Sequence, residues 1–376
     1  MNRNTFIKLL SSISLLPMTG TKAFARDYKE QAVIQFSKSV ALNVCDAILP
    51  AIPASEGYTP LEAVGYYGID GNPQGYIVIL GKNGRSAGYM VLDSKTDGLF
   101  STCSLNSLSP LEQSQVTPLA KSGTDTTKLA MVTPLEFGMI RHDIIEMPGD
   151  GASSARASIP LRRSTNPFDW NDFFISINDV YGSDAGYVMG SIHPARNEFV
   201  SLSESRVTSV LNRYACSVSA MYITGMAMPL PMGSYSSLDA YKELWTLSST
   251  TPALTPGTPT SFVQGTTSWE NIGPALVSYA ASQGVVITQS TKAKPSFADF
   301  KNHAAAGKLS IFSSGKLPSG AIGHSVSVQG YGNLLRKSDN KNIDVLLIAD
   351  GWYDSMVYFN YIPSQFTNQA GTFFSR

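Results

Sequence analysis

Apolar and polar positions follow two periods along this chain, and the changes of period divide it. Near the start, Ala32, Val33, Phe36, Val40, Ala41, Val44, Ile48 and Leu49 recur at helical spacing, which predicts an amphipathic helix over residues 28–49 that Pro50 ends. Strand-like runs follow at Ala63 to Tyr67, Gly75 to Leu80 and Ala87 to Leu92. Between the last two, Gly81-Lys82-Asn83-Gly84 predicts a tight hairpin, because Asn-Gly accepts the positive φ angles that such turns need. Residues 104–128 and 146–167, rich in small, polar and proline residues, predict exposed connections, the second carrying the basic pair Arg162-Arg163.

Beyond Phe168 the pattern is that of one long domain. Asn212, Arg213 and Tyr214 predict a loop leading into a helix over Ala215 to Met226, whose small and apolar residues all round mark it as buried. A Pro/Met-rich turn at 226–233, a helix over Ser237 to Trp245 and a long surface loop at 247–267 follow. Next come a helix over Gly273 to Gln283, a short strand over Val285 to Thr288, and a helix that Ser296 caps and that runs to Ala306, with Asp299 in its first turns. The chain then turns to strands: Leu309 to Ser313, His324 to Tyr331, Asp344 to Ala349 and Met356 to Tyr361. Helices first and a sheet second is the order of an α+β domain.

Composition narrows the function. The 376 residues carry 28 basic and 28 acidic side chains with no Lys/Arg run, which argues against nucleic acid as a partner. Residues 1–25 read as a signal peptide: a basic start at Arg3 and Lys8, an apolar stretch to Met18, and Ala23-Phe24-Ala25 as the cleavage motif. The apolar stretch is short for a bilayer, and no Cys follows Ala25 to take a lipid, so the expectation is a secreted or periplasmic protein without a membrane anchor. Cys45, Cys103 and Cys216 are an odd number for an oxidising compartment; if the first two pair, Cys216 is the thiol left over. No Cys-His cluster suggests a metal site, and no cofactor is expected.

Candidate chemistry centres on Cys216. At the first turn of a helix, a thiol feels the partial positive charge of unpaired N–H groups, which favours the nucleophilic thiolate. Such a nucleophile needs an imidazole to carry its proton and a group to fix the imidazole. His324 follows the glycine-containing loop 319–323 and starts a strand in which His324, Val326 and Val328 share one face and Ser325, Ser327 and Gln329 the other. Asp350 ends the apolar run Val345 to Ala349, where a carboxylate is costly without a partner, and Trp352 is placed to roof a His–Asp bond; Asp354 is the rival carboxylate. His303 sits in an Ala-rich helix and His142 and His193 in or near loops, so none has a comparable setting.

The order Cys216, His324, Asp350, with Gly-His-Ser-Val-Ser-Val-Gln-Gly-Tyr and Asp-Gly-Trp around the last two, resembles the papain-like cysteine peptidase superfamily. The likeness is to the secreted bacterial streptopain-type and bacteriocin-processing-type peptidase domains. It implies a papain-like α+β catalytic domain at 168–376, with the nucleophile helix in an N-terminal helical part and an antiparallel sheet after it. The helix-then-hairpin order of the first third resembles a streptopain-type propeptide. That implies an α+β prodomain over 26–145, a linker at 146–167, a processing site within 140–167, and a zymogen whose prodomain is an intramolecular inhibitor. The implied activity is hydrolysis of peptide bonds in protein or peptide substrates by a Cys216–His324–Asp350 triad. Where the family places an oxyanion-donating Gln, this chain has Val210, and Asn212 is the nearby amide that could replace it. A transglutaminase or acyltransferase would use the same triad with an amine acceptor, and an inactive secreted binding protein could retain the same fold.

Overall fold

Val345 to Ala349 forms an unbroken apolar strand, and in the computed structural model it is buried on both faces: Leu346 and Ile348 join one core, Val345 and Leu347 another. The structure describes residues 33–111, 128–141, 143–147, 157–176, 180, 186–252, 263–316 and 322–376. The expected signal peptide, His142 and part of the expected linker lie outside these residues.

The six α-helices among the described residues are α1 (Lys38–Ile48), α2 (Glu204–Leu211), α3 (Cys216–Ala227), α4 (Asp239–Leu247), α5 (Trp269–Ser282) and α6 (Phe297–Ala305). The first strands are β1 (Val33–Gln35), β2 (Tyr58–Tyr67), β3 (Pro73–Lys82), β4 (Arg85–Asp93) and β5 (Phe100–Leu105). Next are β6 (Lys128–Thr133), β7 (Glu136–Arg141), β8 (Ile144–Met147), β9 (Ala157–Pro160), β10 (Phe174–Ser176) and β11 (Tyr187–Pro194). Around the helices lie β12 (Arg213–Tyr214), β13 (Thr251–Pro252), β14 (Val263–Thr266) and β15 (Thr288–Ala293). The chain ends in β16 (Ser310–Lys316), β17 (Ile322–Arg336), β18 (Lys341–Ala349), β19 (Met356–Asn360) and β20 (Asn368–Ser375). The class is α+β and mostly sheet.

One 15-stranded sheet runs β15-β20-β16-β17-β18-β19-β5-β4-β3-β2-β6-β7-β8-β9, with β11 added beside β17. The two ends of the chain therefore meet edge to edge: β19 pairs antiparallel with β5, Tyr358 opposite Cys103 and Val357 opposite Ser104. Residues 33–376 form one compact unit, and the contacts show no break between the expected prodomain and the expected catalytic domain. Helix α1 explains how. Ser37 caps it by accepting from Val40 N, and its buried face, Ala41, Val44, Cys45 and Ile48, shares a core with Leu334, Ile343, Val345, Leu347 and Tyr358 of the C-terminal strands. The remaining apolar residues of those strands join residues of α3, α5 and α6 in a second core.

Several expectations shift. The first helix begins at Lys38, because Ser37 caps it and Val33 to Gln35 is already paired with β10. The hairpin turn is as expected, with Asn83 and Gly84 both at positive φ between the paired Lys82 and Arg85. Within 104–128, the described start alternates: Asn106 and Leu108 are exposed, as expected of a connection, while Ser107 and Ser109 are buried. Within 146–167, β9 pairs with β8, and Arg162 N donates to Ile69 O, which ties this stretch to the β2–β3 turn; Arg162 and Arg163 are nonetheless exposed. The loop expected before Cys216 is strand β12, paired in parallel with β14 from the expected long loop. Strand pairing starts at Thr288 and not at Val285, since β15 is an exposed edge strand without an apolar face. Cys45 and Cys103 are not bonded to each other; both are buried thiols, with Cys45 pushed up by burial and by Cys103 and Asp46 nearby.

Candidate functional site

Helix α3 presents its N-terminus without a side-chain cap. Ala215 at the N-cap is extended, and the first intrahelical bond runs from Ser219 N to Ala215 O at 2.9 Å, so the helix itself does not use the N–H groups of Cys216, Ser217 and Val218. Tyr241 on α4 holds the residue before the thiol from both sides: Ala215 N donates to Tyr241 Oη at 2.9 Å, and that hydroxyl donates to Ala215 O at 3.1 Å. Burial pushes the Tyr241 phenol up, which keeps it a neutral donor. Replacing Tyr241 by Phe leaves Ala215 N–H unpaired in the core and takes the second donor from Ala215 O, and thermal unfolding should show a loss of about 1–3 kcal/mol.

The Cys216 sulfur is half-buried and donates to Gly323 O at 3.9 Å. A carbonyl oxygen lies about 2.8 Å from the next Cα by standard peptide geometry, so the sulfur stands within about 7 Å of His324 Cα, roughly the reach of an imidazole. His324 itself is only 1% exposed and stacks on Trp352, ring centroids 5.0 Å apart and planes 12° from parallel. Strand β17 holds His324 opposite Ser314 of β16, whose hydroxyl donates to His324 O at 3.4 Å.

Asp350 follows the last residue of β18 and is buried, accepting from Trp352 N at 2.9 Å and Tyr353 N at 3.4 Å. Burial pushes its carboxyl up to about 7; those N–H groups pull it down, and Asp354 adds to the rise. Between Asp350 and Trp352, Gly351 adopts φ +80, and a Cβ there would stand 2.8 Å from Tyr214 Oη. Tyr214 donates to Gly351 O at 3.2 Å and lays its ring against Trp352 at 5.8 Å. One carboxylate thus fixes Trp352, which covers the imidazole. Asp354 is instead exposed, accepting from Ser201 at 3.3 Å and Ser203 at 2.9 Å.

The structure therefore brings Cys216, His324 and Trp352 to one seam, with Asp350 bonded to the Trp352 backbone. It does not bring Asn212 there. Asn212 is exposed, adopts φ +51 as the C-cap of α2, and is separated from Cys216 by β12 and the extended Ala215. Its backbone is engaged elsewhere, Asn212 N donating to Thr208 O and Asn212 O accepting from Val263 N. Val210 is partly buried against the helical core. Backbone N–H groups at the start of α3 are placed where they could receive an oxyanion beside the thiol. His303 bonds Phe374 O at 2.7 Å, and His193 stacks on Tyr331 at 4.7 Å.

Sequence reasoning missed a line of buried hydroxyls. Ser217 bonds Ser325 at 2.9 Å, Ser325 bonds Ser313 at 2.9 Å, and Thr224 bonds Ser327 at 2.9 Å. The signal for it was the polar face Ser325, Ser327, Gln329 on an otherwise buried strand. Among the described residues no group of three His, Cys, Asp or Glu could hold a metal ion, and no helix is long and apolar enough to cross a membrane. No protein-family model matches this chain, and no curated protein matches it.

Proposed function

We propose that this protein is a cysteine peptidase of papain-like fold, exported through residues 1–25, that hydrolyses peptide bonds with Cys216, His324 and Asp350. One observation carries it: a thiol at the uncapped start of a buried helix lies 3.9 Å from Gly323 O, beside an imidazole stacked under Trp352. The helix start favours the thiolate, and a neighbouring imidazolium stabilises it further. In the reaction the Cys216 sulfur attacks the carbonyl carbon, and N–H groups at the start of α3 receive the developing oxyanion. His324 gives its proton to the departing amine, then takes one from the water that releases the acid from the thioester. Asp350 supports the charged imidazole, with Trp352 excluding water from that pair. Strand β12, paired in parallel with β14, leads directly into the nucleophile.

The test is incubation of the purified protein with an unfolded protein substrate in water enriched in ¹⁸O, with a primary amine present. Hydrolysis predicts new chain ends whose carboxylates carry ¹⁸O, and none with Cys216→Ala. Amine conjugates in their place would assign an acyltransferase. Intact substrate with a fully reduced Cys216 would sink the peptidase.

A further inference from the structure

We propose that Ser217 and Ser325 are positioning residues that set the thiol of Cys216 against the imidazole of His324; this rests on the peptidase reading above. Each follows a candidate catalytic residue by one position, and their hydroxyls meet at 2.9 Å. Both are buried, so the bond has no solvent water to replace it. Ser325 extends the line to Ser313, its direct partner on β16, also at 2.9 Å. A hydroxyl has one proton and two lone pairs, so Ser325 can donate to one neighbour while accepting from the other, and both bonds form together. The tip of α3 is thereby fastened to two strands of the sheet at the level of the candidate site.

A second fastening lies farther along the same seam, where Thr224 meets Ser327 at 2.9 Å. Seven residues separate Ser217 from Thr224, about two helical turns, so the two bonds hold different ends of α3. They share chemistry, burial and partner strand. Only the first adjoins the thiol, which makes the second an internal control. Alternation along β17 directs Ser325 and Ser327 to α3 and places His324 on the opposite side, under Trp352. The sulfur lies 3.9 Å from Gly323 O, one residue before His324, a geometry that a small slide of the helix tip would spoil.

The ionisable groups around this seam are His324, Asp350, Glu204, Tyr214 and Tyr241, the last two lying close enough to Cys216 and Glu204 for charge there to raise them. Replacing a serine by alanine changes none of these charges, so a shift in the thiol's acid limb reports geometry. The experiment is the rate of Cys216 alkylation by iodoacetamide from pH 4 to 9 in the full-length protein, with Cys45 and Cys103 followed separately by peptide mass. Ser217→Ala and Ser325→Ala should each lower the rate at pH 5.5 by about tenfold, and the double variant should fall no further than the poorer single one. Ser217→Thr, which keeps the hydroxyl, should keep the wild-type rate. Thr224→Ala should lower the melting temperature and leave the rate at pH 5.5 unchanged. Wild-type rates in Ser325→Ala, or an equal loss in Thr224→Ala, would overturn the proposal. Failure of the alanine variants to fold would overturn it too, by making the bond a condition of folding. A wild-type thiol with no acid limb would remove the peptidase reading, and this proposal with it, before any variant is compared.

Discussion

Deleting residues 33–111 is expected to leave residues 128–376 unfolded or aggregated, and not to release an active peptidase. Those residues supply the layer over one face of β17, β18 and β19, where Leu334, Ile343, Val345, Leu347 and Tyr358 share a core with α1. Returning five such side chains to water costs about 8–15 kcal/mol at roughly 1.5–3 kcal/mol each, comparable with the whole stability of a domain. Deletion also opens the edge of β19, which now pairs with β5 and whose neighbour Ser355 bonds Ser104 at 3.1 Å. The companion expectation concerns processing. Protein cut once between residues 147 and 168 should elute as a single particle with both fragments present. A fragment 168–376 that purifies alone with an unchanged melting temperature would show that the first part is a detachable propeptide.

Asp350→Asn should stabilise the protein at pH 8 and reduce its activity. The carboxyl is pushed up to about 7 in the folded chain from its usual 3.8. An acid so raised binds its proton more tightly folded than unfolded. Its favourable contribution is complete below pH 4 and is lost as pH rises through 7. Above that, ionised Asp350 costs about 4 kcal/mol that an uncharged amide does not. Asn keeps an oxygen to accept from Trp352 N, so the turn should survive. The melting temperature of the variant should therefore exceed wild type at pH 8 and match it near pH 4. Peptide hydrolysis should fall at least tenfold, since the imidazolium loses its counter-charge. A variant less stable than wild type at pH 8 would contradict the burial argument.

Local signals were legible where they are complete in a few adjacent residues. Ser296 caps α6 as expected, with Asp299 completing a capping box, and Asn83-Gly84 forms the expected turn, because cap and turn chemistry depend on neighbours alone. Helix α3 matched its apolar stretch within a residue at each end. Pairings across long separations were not legible. Strands β6 to β9, β11 and β20 went unread, since their partners, and not their own alternation, make them strands. The run Val345 to Ala349 announced burial on both faces, yet nothing local said that α1 supplies the second layer. For the site, residue type and position picked out Cys216, His324, Asp350 and Trp352. Asn212 was chosen as an amide near the thiol in sequence, and the structure makes it the exposed C-cap of α2.

Alkylation of Cys216 against pH, in wild type and in His324→Ala, bears most directly on the claim that thiol and imidazole act as one unit. A joined pair keeps wild-type alkylation fast down to about pH 5 and loses that acid limb in His324→Ala, where the rate follows an ordinary thiol near pH 8.5. Wild-type protein whose alkylation already rises with half-maximum near 8.5, unaltered by His324→Ala, would contradict the account.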